Sequence, residues 1–244
     1  MAYVHPPYPP SCLTVVNRET LFPIRRIFCI GRNYAEHALE MGVTPERSKP
    51  FFFQKSPDVV VAQHRWQDEV VIDYPPATAD LQHEVELVVA LGLGGRDIAP
   101  EQAERHIFGY AIGLDMTRRD LQTLLKDKRW PWDMAKNFDD SAPIGVVHPM
   151  VETGELLQGA MTLSVNGVER QSGDLAQMIW SVNEMIAELS RLVTLAAGDL
   201  LLTGTPAGVG PVVPGDRIRA TIASLGHLQV TVRQQSTYHA DRAG

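Results

Sequence analysis

Glu84 and Glu86 stand two residues apart in the apolar run Leu81-Gln82-His83-Glu84-Val85-Glu86-Leu87-Val88-Val89-Ala90-Leu91. The run is rich in Val and Leu and ends at glycine, so it reads as a strand over 82–91. Alternation along a strand puts Glu84 and Glu86 on one face and Val85, Leu87 and Val89 on the other. Two residues of rise separate the two Cα atoms by about 6.6 Å. Like charges this close in an apolar strand are costly unless a cation lies between them or one takes a proton. A divalent metal meets that need. An edge strand with a solvated face is the alternative.

Further polar residues punctuate apolar segments. Tyr110-Ala111-Ile112-Gly113-Leu114 ends in Asp115, followed by Met116-Thr117-Arg118-Arg119-Asp120. Asp115 either caps the next helix or, with Glu84 and Glu86, supplies a third oxygen ligand. An all-carboxylate set suits Mg²⁺, Mn²⁺ or Ca²⁺ better than zinc. His37 and Glu40 are three apart on one helical face, where the carboxylate can orient the imidazole and stabilise its protonated form. Such a pair can activate water; an exposed helix pair is the plainer reading. Lys136 follows the bulky run Trp130-Pro131-Trp132-Asp133-Met134-Ala135, which is able to desolvate its ammonium, although most lysines are solvated surface charges. After a strand, Thr203-Gly204-Thr205-Pro206-Ala207-Gly208 can offer backbone N–H groups and a Thr hydroxyl to an anion. It lacks the Lys-Ser/Thr ending of a nucleotide-binding loop, which disfavours phosphate transfer.

These residues need elements to hold them. The pattern predicts strands at 26–30, 51–53, 69–73, 82–91, 109–115 and 199–203, and helices at 34–41, 100–107 and 117–127. Asn166-Gly167 signals a type I′ hairpin, and a second hairpin joins 216–223 to 227–233 around Leu225-Gly226. Met178, Val182, Met185, Ile186, Leu189 and Leu192 mark an amphipathic helical region with a break near Ser181. Strands outnumber helices without regular alternation, which gives an α+β, mainly β fold rather than a doubly wound sheet.

The 244 residues, 44% hydrophobic and 21% charged, suffice for one sizeable core. A net charge of -7 argues against nucleic acid and anionic membranes as partners. No apolar stretch reaches bilayer length, and Met1-Ala2-Tyr3-Val4-His5-Pro6-Pro7 has no signal-peptide pattern. The only two cysteines are Cys12 and Cys29, and Cys29 lies in the apolar run Ile27-Phe28-Cys29-Ile30. Both read as small hydrophobes in a reducing cytoplasm, without a disulfide framework.

As a set in chain order, five segments resemble the fumarylacetoacetate hydrolase family, in its short acylpyruvase-like branch. They are Gly31-Arg32-Asn33-Tyr34 with His37 and Glu40, His83-Glu84-Val85-Glu86-Leu87, Leu114-Asp115-Met116-Thr117-Arg118-Arg119-Asp120-Leu121-Gln122, Ala135-Lys136, and Leu202-Thr203-Gly204-Thr205-Pro206. The resemblance implies a mixed β-roll with short peripheral helices, usually a homodimer. It implies a catalytic domain over 25–232, with 1–24 as an extension packing on it and 233–244 as a polar tail. It further implies Mg²⁺ or Mn²⁺ on Glu84, Glu86 and Asp115, with Ca²⁺ also compatible. His37 and Glu40 would activate water, Lys136 would stabilise developing negative charge, and Arg32, Gln122 and Thr205 would contact substrate. The large N-terminal domain and extra aspartate ligand of the fumarylacetoacetate hydrolases proper are missing from this sequence, which sets fumarylacetoacetate aside as the expected substrate.

The implied reaction is hydrolysis of a 2,4-dioxo acid at C3–C4 to pyruvate and a carboxylic acid, with fumarylpyruvate favoured by resemblance in Pro50-Phe51-Phe52-Phe53-Gln54-Lys55. Decarboxylation or tautomerisation of an oxaloacetate-like acid is the alternative within the family. A catalytically silent binding protein is the alternative outside enzymology. The His37 and Glu40 pair favours hydrolysis. Arg32, Arg118, Arg119 and Lys128 are the cations nearest the motifs that could meet a second substrate carboxylate.

Overall fold

The computed structural model describes residues 3–40, 42, 47, 49–65 and 67–234. An eight-stranded mixed sheet forms its centre. Seven strands run in the order Phe52–Lys55, Arg26–Ile30, Asp199–Leu202, Val85–Leu91, Ile107–Leu114, Ala142–Ile144 and Val60–Ala62, and His148–Pro149 pairs with Ile107–Leu114. Arg26–Ile30 is parallel to Asp199–Leu202, and Val60–Ala62 is parallel to Ala142–Ile144. A five-stranded sheet, Val168–Asp174, Ala160–Val165, Arg217–Ile222, Gly226–Arg233 and Val70–Asp73, packs against it. A short sheet of Thr117–Arg118, Leu81–His83 and Gly210–Val212 and the hairpin Cys12–Thr14/Leu21–Pro23 complete the β structure among the described residues. The fold is α+β and mainly β.

The central sheet is buried on both faces, which explains why its strands read as continuous apolar runs. Val85, Leu87, Val89 and Leu91 enter one core with Phe28, Leu201 and the inner face of the five-stranded sheet (Leu163, Ala220, Val230). Val88 and Ala90 enter a second core with Ile27, Cys29, Leu200 and Leu202. Leu13, Val15, Phe22 and Ile24 of the N-terminal segment also lie in that second core. Cys12 and Cys29 are both free thiols.

Most expected elements are present with shifted ends. The exception near the site is 82–91, which is not one strand. Leu81–His83 belongs to the short sheet and Val85–Leu91 to the central sheet, with Glu84 between them. The chain changes hydrogen-bonding partners there, and the Val85 N–H goes to Gln171 Oε1 at 3.1 Å. Pro100–His106 is a 3₁₀ helix rather than an α-helix. The helix expected over 117–127 covers only Arg119–Asp127, because Thr117–Arg118 pairs with Leu81–His83 instead. The helix expected over 34–41 is Ala35–Glu40, and Met41 lies outside the described residues. The break near Ser181 is real: Ser181 and Glu184 form a capping box that starts the helix Val182–Leu192. Asn166 and Gly167 take φ of 52° and 79°, as a type I′ turn requires. Of the expected tail, residues from 235 on lie outside the described residues. Among the described residues, no helix is long and apolar enough to cross a membrane.

Candidate active site

The antiparallel ladder between Val85–Leu91 and Ile107–Leu114 sets the site. It pairs Val85 with Leu114, so the residues just beyond its end, Glu84 and Asp115, meet, with the Asp115 N–H donating to the Glu84 carbonyl at 2.9 Å. Glu86 sits inside the ladder opposite Gly113. Glu84, Glu86 and Asp115 are all buried and offer one carboxylate oxygen each, all within 4.8 Å of one another. The solvated-edge alternative is thereby excluded. Asp115 is no helix cap: the cap position of Arg119–Asp127 is Arg118, with no side-chain capping bond.

Two buried lysines face this acid cluster. Lys136 Nζ donates to Glu84 Oε2 at 2.8 Å, Asp115 Oδ2 at 2.7 Å and Thr117 Oγ1 at 2.7 Å. Burial alone would lower its pKa, but Asp115 and Glu84 outweigh burial and hold it above the ordinary lysine value. The run expected to desolvate it does little of this, since Trp130 and Met134 are exposed; the ring over Lys136 Nζ is Phe53, at 5.3 Å, and the carboxylates keep the ammonium charged. Lys55, which the sequence reading passed over, lies 2.9 Å from Asp115 Oδ1 and donates to the carbonyls of Ser141, Met116 and Lys136. Glu84 also accepts from Arg119 Nη2. Burial opposes its ionisation, yet Lys136 and Arg119 hold the Glu84 carboxyl below the usual range. Glu86 has no such lysine or arginine contact among the described residues. Burial, with Asp115 and Glu84 beside it, pushes its pKa well up.

The cluster fits a hard divalent cation. The donors are all carboxylate oxygens, and Asp115 Oδ1 receives no aligned hydrogen bond despite the nearby Lys55. Burial, with Asp115 and Glu84 beside it, disfavours the charged form of Glu86, a cost that a cation bound among the three acids would relieve.

His37 is buried and lines the same cleft as the three acids, together with Arg32, Phe51, Phe53, Arg119, Gln122, Lys126, Trp132, Lys136, Gly204 and Thr205. Its Nδ1 lies 3.2 Å from Glu40 Oε2, and Glu40 in turn accepts the Gly208 N–H at 3.1 Å. His37 is thus buried, while Glu40 stays at the surface and is tied to the turn by the Gly208 N–H. The Thr203–Gly208 turn spends other N–H groups on the protein as well: Gly204 N–H donates to Glu86 Oε2 at 2.7 Å. The anion that this turn holds is the protein's own carboxylates. Thr205 Oγ1 accepts from Gln171 Nε2 at 2.7 Å, and Gln171 Oε1 takes the Val85 N–H, so Gln171 ties the turn to the chain at Glu84. Gln171 went unnoticed in the sequence because Glu169-Arg170-Gln171 reads as an ordinary polar hairpin strand. Gln122 accepts from Arg119 Nη1.

Gly204 takes φ +90°, and a Cβ there would lie 2.7 Å from Asn33 Cβ. Asn33 is itself fixed by bonds to Trp180 and Thr203. Gly204→Ala should therefore cost about 1–3 kcal/mol from backbone strain alone, read as a fall of several degrees in melting temperature. An unchanged transition would contradict the packing described.

Residues 26–233 match the family model described as fumarylacetoacetate (FAA) hydrolase C-terminal. The chain belongs to the fumarylacetoacetate hydrolase family. Among relatives of this family, a fumarylpyruvate hydrolase from Ralstonia sp is 42% identical over 182 residues, covering 75% of this chain and 92% of the relative. A mitochondrial oxaloacetate decarboxylase of Dictyostelium discoideum is 41% identical over 201 residues, covering 82% and 90%. The crystal structure of fumarylpyruvate hydrolase from Pseudomonas aeruginosa, in complex with Mn²⁺ and pyruvate, superposes with a TM-score of 0.93 at 47% identity, covering 96% of this chain and all of that one.

Proposed function

We propose that the protein is a metal-dependent hydrolase that cleaves the C3–C4 bond of 2,4-dioxo acids, with fumarylpyruvate as the favoured substrate. The observation that carries this reading is that His37, held by Glu40, lines the same cleft as the clustered Glu84, Glu86 and Asp115. The Pseudomonas aeruginosa relative binds Mn²⁺ and pyruvate, and pyruvate is a product of the proposed cleavage.

Glu84, Glu86 and Asp115 would hold Mg²⁺ or Mn²⁺, with Ca²⁺ also compatible, and the bound ion would supply Lewis-acid polarisation of the 2-oxo acid end. The remaining chemistry belongs to the chain. Glu40 occupies Nδ1 of His37, which leaves Nε2 to take a proton from water. The hydroxide so formed attacks the C4 carbonyl. The C3–C4 bond then breaks, its electron pair leaves as the enolate of pyruvate, and proton return to C3 gives pyruvate. The oxygen of water ends in the released carboxylic acid. Lys136 keeps a positive charge beside the cleft throughout. To donate to an oxyanion it must exchange one of its three acceptors, of which the Thr117 hydroxyl is the neutral one. Arg32, Gln122 and Thr205 line the cleft and would bind substrate. A homodimer is the assembly the family resemblance supports, and sedimentation velocity tests it.

Steady-state assays on a panel of 2,4-dioxo acids, with and without Mg²⁺, test the reading. Metal chelation reads only the pyruvoyl end, so choice among acyl groups must come from the far end of the pocket. A fumaryl group ends in a second carboxylate, which needs a cation to offset its desolvation. For fumarylpyruvate, kcat/KM should exceed that for acetylpyruvate by at least about tenfold, the value of one modest charged contact. Equal efficiencies would remove the fumaryl assignment and leave acylpyruvate hydrolysis standing. Decarboxylation of oxaloacetate is the second reading, favoured by the Dictyostelium discoideum relative.

A further inference from the structure

Four cations line the cleft: Arg32, Arg119, Lys126 and Lys136. Two of them are already engaged. Lys136 spends its three N–H groups on Glu84, Asp115 and Thr117. Arg119 binds Gln82 through Nε, Gln122 through Nη1 and Glu84 through Nη2. Neither Arg32 nor Lys126 forms an ion pair among the described residues. Arg118 and Lys128 do not line the cleft; Arg118 stacks on Phe138 and bonds the Met134 carbonyl, and Lys128 lies over Trp130.

The helix Arg119–Asp127 gives Lys126 its place. Arg119, Gln122 and Lys126 are spaced i, i+3 and i+7, one stripe on the face turned to the cleft. Arg119 marks the acid-cluster end of that stripe through Glu84. Lys126 stands seven residues further on, about 10 Å along the axis. An extended seven-carbon chain spans roughly 7.5 Å between its end carbons, at somewhat less than the bond length per step. Arg32 lines the same cleft, close enough for its charge to act on Lys126; it lies 5.6 Å from the centre of the Phe51 ring, and Phe51 packs edge-on to Trp132 at 5.6 Å. Flat apolar rings and two cations without an ion pair among the described residues suit a planar unsaturated chain with a terminal anion.

We propose that Lys126, together with Arg32, is the binding site for the distal carboxylate of a dicarboxylic 2-oxo acid. The proposal rests on the 2,4-dioxo acid reading and adds to it the residues that select the acyl group. Burial and the charges of Arg32 and Arg119 lower the pKa of Lys126, so an incoming anion relieves repulsion already present.

The test is made by binding, so that it does not depend on turnover. 2-Oxoheptanedioate matches the length and both carboxylates of fumarylpyruvate but has no C4 carbonyl to hydrolyse. 2-Oxoheptanoate lacks only the second carboxylate. Calorimetric titration of the Mn²⁺-loaded protein should show the diacid binding at least about tenfold tighter than the monoacid. In Lys126→Met that preference should fall to less than about twofold, through weaker diacid binding, and Lys126→Arg should keep most of it. A preference that survives Lys126→Met, or none in the unaltered protein, overturns the distal site. Equal weakening of both ligands would show general steering of anions and overturn it too. Failure of the unaltered protein to bind either acid would overturn the 2-oxo acid reading, and this proposal with it.

Discussion

Glu86→Gln should abolish turnover and, more tellingly, abolish the stabilisation that Mn²⁺ confers. Glu86 is the acid of the cluster without a lysine or arginine contact among the described residues, and burial, with Asp115 and Glu84 beside it, pushes its pKa up. In the proposed function a bound cation compensates it. At a free metal concentration 100 times the dissociation constant, binding to the folded state alone adds about 2.7 kcal/mol. For a chain of this size, that raises the melting temperature by roughly 5–10 °C. The unaltered protein should show that rise in thermal scans with Mn²⁺ against chelator, and Glu86→Gln should not. Glutamine keeps the shape and still accepts the Gly204 N–H, so the metal-free proteins should melt at similar temperatures. Full activity in chelator, or an undiminished Mn²⁺ shift in Glu86→Gln, would contradict the metal site.

His37→Ala should lower kcat by about 10²–10⁴-fold, the usual contribution of a positioned base. Oxalate mimics the chelating end of the substrate and needs no activated water, so its affinity for the Mn²⁺-loaded variant should stay within about twofold of the unaltered protein, far below the change in rate. Loss of both would assign His37 a structural part. Wild-type turnover would remove it from the mechanism. A variant that fails on 2,4-dioxo acids but still decarboxylates oxaloacetate would show the two activities separating at the water step.

Much of this architecture was legible because its strands and acids carry local signals. The Glu84 and Glu86 pair is conspicuous because carboxylates are out of place in an apolar run, and the structure buries both beside Asp115. The reason for their meeting was less legible. Alternation within one strand was the expectation, but Glu84 lies at a break where the chain passes from one sheet to another. Pairing partners are a long-range property that periodicity does not report. Lys55 had a local sign, a lysine closing a run of three phenylalanines, but its value lies in Asp115 and three carbonyls distant in sequence. Gln171 had none, since a polar residue on a hairpin strand is ordinary. Lys126 sits in a helix of mixed charge, where a lysine is ordinary. Only its i+4 and i+7 relation to Gln122 and Arg119, judged with their burial, marks it out.

The most direct measurement of the central claim is a product assay on fumarylpyruvate with the Mn²⁺-loaded protein. The reading predicts pyruvate and fumarate in equal amounts, formed at a rate that vanishes in chelator and returns with Mn²⁺ or Mg²⁺. Untouched fumarylpyruvate and acetylpyruvate, alongside rapid metal-dependent conversion of oxaloacetate, would contradict carbon–carbon bond hydrolysis as the function.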